Sequence, residues 1–151
     1  MRPPDRRRVR RQRGIAAIEL ALMMPVLITM LVFPLYLGRL FWHYTVMQHA
    51  AHDAARYVSN APASEMSNQL RAVEVAQVGE AIIDKQLSEL APGELGVIRK
   101  VNCDAVGCVG GNRPVTVRVG IRITVQDIFF PGQTWSEITL DADVSYPYIG
   151  R

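Results

Sequence analysis

The sequence predicts an α+β protein: a long N-terminal transmembrane helix continuing into a domain in which a second helix packs on a small antiparallel sheet. Three observations predict it. Leu20 to Gly38 is an uncharged run of nineteen residues, close to the roughly 20 apolar residues that carry a helix across a bilayer. Between Ser64 and Leu90 the apolar residues recur at spacings of mostly three and four, the period of a one-sided helix. From Val115 onward the period falls to two, as in strands with one buried face.

Charge orients the first helix. The 151-residue chain has a net charge of +3. Residues 1–13 carry seven arginines and one aspartate, a net of +6, whereas the remainder carries ten basic and thirteen acidic side chains, a net of −3. A basic tail can bind nucleic acid or anionic lipid. Placed directly before an apolar run, with no basic or aromatic surface pattern elsewhere, it reads as the cytoplasmic flank of a membrane span. Nucleic acid is therefore not an expected partner, and membrane lipid is. The N-terminus is expected in the cytoplasm and residues from about 45 onward outside it.

Residues 1–14 form the basic leader in this reading, and residues 15–60 the long N-terminal helix, with the membrane span at about 20–42. Tyr36, Phe41, Trp42 and Tyr44 gather at the far end of the span, as an interfacial aromatic belt does, and Arg39 sits where it can snorkel to head groups. Pro25 and Pro34 each remove a backbone donor and are expected to bend or loosen the helix. A cleaved secretory signal is the competing reading, but this apolar run exceeds the usual 7–15 residues and no small-residue cleavage pattern follows it. The Arg-Arg pairs match a twin-arginine signal only weakly. Val46, Met47, Ala50, Ala51, Ala54, Ala55 and Val58 continue the helix toward an end near Ser59-Asn60-Ala61-Pro62. Counted from Ile15 it would measure about 65–70 Å at 1.5 Å per residue, longer than a bilayer, so its outer third must pack on something.

Residues 61–151 are expected to form an α+β domain outside the cytoplasm. Its helix would run from about Ser64, an N-cap, to Leu90, with Met66, Leu70, Val73, Ala76, Ile83, Leu87 and Leu90 as the apolar stripe and Ala91-Pro92-Gly93 as the stop. Val115, Val117, Val119, Ile121, Ile123 and Val125 alternate with polar residues or glycine, ending at Gln126. After a turn at Pro131-Gly132, Leu140, Ala142, Val144 and Tyr146 alternate again. Antiparallel pairing would bring Arg118 and Arg122 close to Asp141 and Asp143 on the wet face, and a shorter strand, Val97 to Cys103, would join. Cys103 and Cys108, separated by a loop with Gly107, suit a small disulfide in an oxidising compartment; two unpaired thiols are the alternative.

Catalytic patterns are missing from the sequence. His49 and His52 lie one turn apart beside Asp53, but no further ligand stands at a helical spacing, so a water-facing or partner-facing helix is preferred to a metal site. There is no glycine-rich phosphate loop, nucleophile elbow or zinc-protease helix. The expected function is not enzymatic and needs no cofactor.

Arg13-Gly14-Ile15-Ala16-Ala17-Ile18-Glu19-Leu20-Ala21-Leu22, with Pro25 following, resembles the start of TadE/TadF-like pseudopilins, pilin-like components of the tight-adherence machinery that builds Flp-type type IV pili in bacteria. Gly38-Arg39-Leu40-Phe41 and Ala54-Ala55-Arg56-Tyr57 share the resemblance, which covers roughly residues 10–60. Ile15 and Pro34 depart from the usual pattern. The resemblance implies a pilin-like outer domain, an inner-membrane, single-pass location, and cleavage by a prepilin peptidase between Gly14 and Ile15. It also implies assembly through Glu19 with other pilin-like subunits, the inner-membrane assembly platform and, ultimately, a surface pilus. The alternative is an unprocessed single-span protein whose outer domain binds a partner in the cell envelope.

Overall fold

The structure is a computed structural model that describes residues 6–90, 94–104, 106–125 and 137–150. It is α+β and falls into two compact units, Met1–Arg39 and Leu40–Arg151. The predicted stop at Ala91-Pro92-Gly93, the turn at Pro131-Gly132 and the strand end at Gln126 lie outside the described residues.

The first unit holds the N-terminal part of helix α1 (Arg6–Ser59). The helix begins at Arg6 and not at Ile15, because arginine and glutamine are good helix formers and a single glycine, Gly14, costs only about 1 kcal/mol relative to alanine. From Ile15 the helix is long and apolar enough to cross a membrane, the one candidate span among the described residues, and its most apolar window is wholly unburied. Pro25 and Pro34 lie inside it without ending it. Thr29 Oγ1 donates to the Pro25 carbonyl at 2.8 Å, the back-bonding that hydroxyl side chains make in membrane helices.

In the second unit, α1 continues from Leu40 and buries one stripe: His43, Met47, Ala50, Ala51, Ala54, Ala55 and Val58. Small residues here allow another element to come close. That element is α3 (Gln69–Leu87). A Cβ on Gly79 would stand 3.0 Å from Val58 Cγ2 and 3.8 Å from Val101 Cγ2, so the glycine sits where helix, helix and sheet meet.

Instead of one helix from Ser64 to Leu90 there are three pieces: α2 (Ala63–Met66), α3, and a 3-10 turn over Ser88–Leu90. The break has a local cause. Asn68, in an extended conformation, caps α3 by accepting from the Leu70 and Arg71 amides at 3.0 and 3.4 Å. Ser67 turns its hydroxyl back to the Ala63 carbonyl. Ser64 caps nothing; α2 starts after Pro62 with no side-chain cap. In α3 the predicted stripe residues Ile83 and Leu87 are buried, joined by Ala72, Val75 and Gly79. Leu70 and Val73 are left 79% and 40% exposed.

Four antiparallel strands form one sheet in the order β2-β1-β3-β4. They are β1 (Glu94–Cys103), β2 (Val106–Gly107), β3 (Thr116–Val125) and β4 (Ile138–Pro147). β1 starts earlier than predicted, with an irregularity between Glu94 and Gly96, and the two-residue β2 gave no periodic signal. The alternation in β3 holds: Val117, Val119, Ile121, Ile123 and Val125 are buried while Arg118 and Arg122 are exposed. Val115 lies just ahead of the strand and is exposed. On the inner side Arg99 of β1 reaches Asp84 of α3 at 2.9 Å. The core thus lies between the inner sheet face, α3 and the end of α1.

The end of α1 is tied down by the C-terminal segment. The Ile149 and Gly150 amides donate to the Ser59 carbonyl at 3.0 and 3.1 Å, and Tyr148 donates its hydroxyl to the Ala61 carbonyl at 2.7 Å. These bonds satisfy carbonyls that a helix end otherwise leaves to water.

Candidate processing and assembly site

The predicted processing and assembly residues share the first unit. Gly14 lies within α1, one residue before Ile15. Ile15 is 59% exposed and Glu19 is exposed. They are four positions apart in sequence, so they stand one turn apart on the same helix face. Every residue from Ile15 to Leu31 is exposed, and Glu19 makes no ion pair among the described residues. A carboxylate with no ion pair among the described residues, one residue ahead of the uncharged run Leu20–Gly38, is costly in lipid and directs attention to a partner outside the chain. A positive group brought to about 4 Å would be attracted by about 4 kcal/mol at intermediate dielectric, before a desolvation cost that offsets much of it.

The second unit presents three further polar constructions. Cys103 and Cys108 are joined in a disulfide with their Cα atoms 4.8 Å apart. Between them Asp104 adopts a positive φ of 56°, which aspartate tolerates better than most side chains. Its Oδ1 accepts from the Thr116 and Val115 amides at 2.8 and 2.9 Å and from Thr116 Oγ1 at 3.3 Å, and its own amide donates to the Thr116 carbonyl at 2.7 Å. The Thr116 amide, more than any other group, holds the Asp104 carboxyl below the usual carboxylate range. This clamp joins the disulfide loop to the start of β3. Its one local mark in the sequence is an aspartate directly after a cysteine in a tight loop, a signal too weak to predict the clamp.

On the wet sheet face Arg122 holds Asp141 through Nε–Oδ1 and Nη2–Oδ2 at 2.8 and 3.0 Å. Arg118 reaches diagonally to Asp143, with its Nε at 2.9 Å from Oδ1. Hydrogen bonds from Arg122 and Arg118 lower the Asp141 and Asp143 carboxyls respectively.

The histidines scatter. His43 is buried; His49 is exposed; His52 Nδ1 lies 3.1 Å from the Tyr146 hydroxyl. Asp53 accepts from Gln86 Nε2 at 2.7 Å. No group of three or more His, Cys, Asp or Glu residues placed to hold a metal occurs among the described residues. Ala54 and Ala55 are buried, while the next two residues, Arg56 and Tyr57, line an open hollow of about 420 Å³ with Asp53, Asn60 and Glu65.

A family model described as TadE-like protein matches residues 14–56. The match opens at Gly14, includes Glu19, and closes on Arg56 beside that hollow. No curated protein and no solved structure matches the chain.

Proposed function

We propose that this chain, which carries a TadE-like segment over residues 14–56 and is on that account a pilin-like protein associated with the tight-adherence pilus, is a pseudopilin precursor cut after Gly14. The observation that carries the proposal is the coincidence of the matched segment with an exposed apolar helix bearing one early carboxylate.

In this reading the arginines of the leader hold residues 1–14 at the cytoplasmic face of the inner membrane. Gly14, lacking a side chain, lets the backbone enter the prepilin peptidase. Hydrolysis of the Gly14–Ile15 peptide bond frees the Ile15 amine. Glu19 of one subunit then pairs with the Ile15 amine of a neighbour and fixes the axial register, since desolvation leaves the pair little net affinity to contribute. The domain from about residue 61 faces outward, where the Cys103–Cys108 disulfide persists. The role is structural and not enzymatic: the chain initiates or extends a pilus on the inner-membrane assembly platform.

Mass spectrometry of the mature N-terminus, in cells with and without the peptidase, tests the proposal. The expected product starts at Ile15 only when the peptidase is present. A leader retained in peptidase-competent cells would point instead to an uncut single-span protein.

A further inference from the structure

Among the described residues the sheet has two edges without a full pairing strand, and they differ in charge. β1 pairs with β2 only at Asn102 and Cys103; from Gly96 to Val101 its far side meets no strand among the described residues. β4 pairs with β3 on one side and, among the described residues, with no strand on the other. An open edge offers a row of backbone donors and acceptors to any chain that can present a matching one.

The register fixes which side chains flank each edge on the wet face. Lys100 of β1 lies opposite Gly120 and Ile98 opposite Arg122. Both Ile98 and Lys100 are exposed, and Lys100 makes no ion pair among the described residues. On the β4 edge the same face carries Thr139, Asp141, Asp143 and Ser145. Asp141 and Asp143 are bonded to arginines of β3, but a carboxylate offers about four lone-pair sites and can accept a further donor.

We propose that the β4 edge of one copy pairs with the β1 edge of a second copy, in parallel, to extend the sheet from subunit to subunit. This deepens the pilin-like reading and rests on it. Strand direction requires the parallel sense: β1 and β4 both run antiparallel to β3, so a copy shifted sideways with its covered face on the same side presents β1 parallel to β4. Lys100 of that copy comes between Asp141 and Asp143, and Ile98 comes beside Thr139. The short β2 of the incoming copy blocks pairing beyond Val101, so the joined stretch runs from Gly96 to Val101 and slippage is limited.

The two self-pairings are disfavoured by the same side chains. β4 against β4 is antiparallel and sets aspartates opposite aspartates; β1 against β1 brings two Lys100 side chains together. Like charges facing each other across strands are destabilising. The favoured contact is therefore heterologous, and a heterologous contact that does not close on itself generates a filament.

Cysteine cross-linking of the full-length chain in cell membranes tests this. Cys103 and Cys108 are bonded to each other, which leaves introduced thiols as the reactive ones. Ile98→Cys with Thr139→Cys, and separately Lys100→Cys with Asp141→Cys, should each give a ladder of dimers and higher oligomers. The first pair leaves every ion pair of the sheet intact, so it stands even if the second loses folded protein. Each single variant should lose the ladder. A dimer band from Asp141→Cys alone would show the isologous contact and overturn the proposal, as would no ladder from Ile98→Cys with Thr139→Cys. The N-terminal mass of the same sample separates the two ideas: a cut leader without a ladder removes the edge pairing alone, and a ladder on an uncut chain removes the pseudopilin reading alone.

Discussion

Glu19 and Asp104 are both carboxylates in a chain of alternating purposes, and their surroundings separate them. Asp104 Oδ1 accepts three hydrogen bonds from the start of β3, whereas Glu19 makes no ion pair among the described residues. Replacing Glu19 with alanine is expected to leave leader removal intact and to lower surface pili sharply, read by N-terminal mass and by counting pili; normal piliation would remove its register role. For Asp104, Asp141 and Asp143 the folded state holds the carboxyl below its ordinary value of 3.8. The unfolded chain therefore binds more protons in acid, and stability rises with pH there. The stabilisation is present above about pH 4 and is lost as pH falls through the folded values. Denaturant midpoints between about pH 2.5 and 7 should show this acid limb, and Asp104→Asn should flatten it. An unchanged limb would mean the clamp is not formed in solution. Asp104 also shows where sequence reading runs out, because its three acceptor bonds reach eleven and twelve residues ahead, and no local pattern encodes them.

At the scale of elements, periodicity was legible where packing is one-sided and illegible where a cap decides. The alternation of β3 and β4 anticipated their pairing and the Arg–Asp bridges between them, because a slip of one residue would bury both charges of the strand that slips. The helix predicted from Ser64 to Leu90 is interrupted where Asn68 caps a new start, and Leu70 and Val73 of its first turns face water, whereas Met66, Ile83, Leu87 and Leu90 are buried as the stripe predicts. Asn68→Ala should cost about 1 kcal/mol, measured as a lower denaturant midpoint with an unchanged slope; no loss would mean that α3 holds its start through packing alone. The disulfide ties the last residue of β1 to the residue after β2 across a six-residue ring. Its removal by Cys103→Ser with Cys108→Ser should cost roughly 2 kcal/mol on the chain-entropy view. The expected readout is a lower melting temperature that reductant no longer changes, and an unaltered melting temperature would contradict it.

For the whole molecule, hydropathy alone marked one helix long and apolar enough to cross a membrane, and the outer third of α1 buries its alanine-rich stripe within the second unit, which begins at Leu40. The packing partner was not legible, because Gly79 carries no hydropathic signal yet decides how closely α3 approaches Val58. The same holds for the tail: nothing in Tyr148-Ile149-Gly150 announced that these residues would close the end of α1. A Cβ on Gly150 would meet the Ala61 carbonyl and the Tyr148 ring, so Gly150→Val should lower the melting temperature of the second unit and leave leader removal unchanged. The proposed cut lies in the first unit and these stabilising contacts in the second, so the two are tested separately. The direct measurement is the N-terminal mass of the protein recovered from membranes of cells that contain the prepilin peptidase. A chain that begins at Ile15 is the predicted result; one that still carries the arginine leader ahead of Gly14 would contradict it.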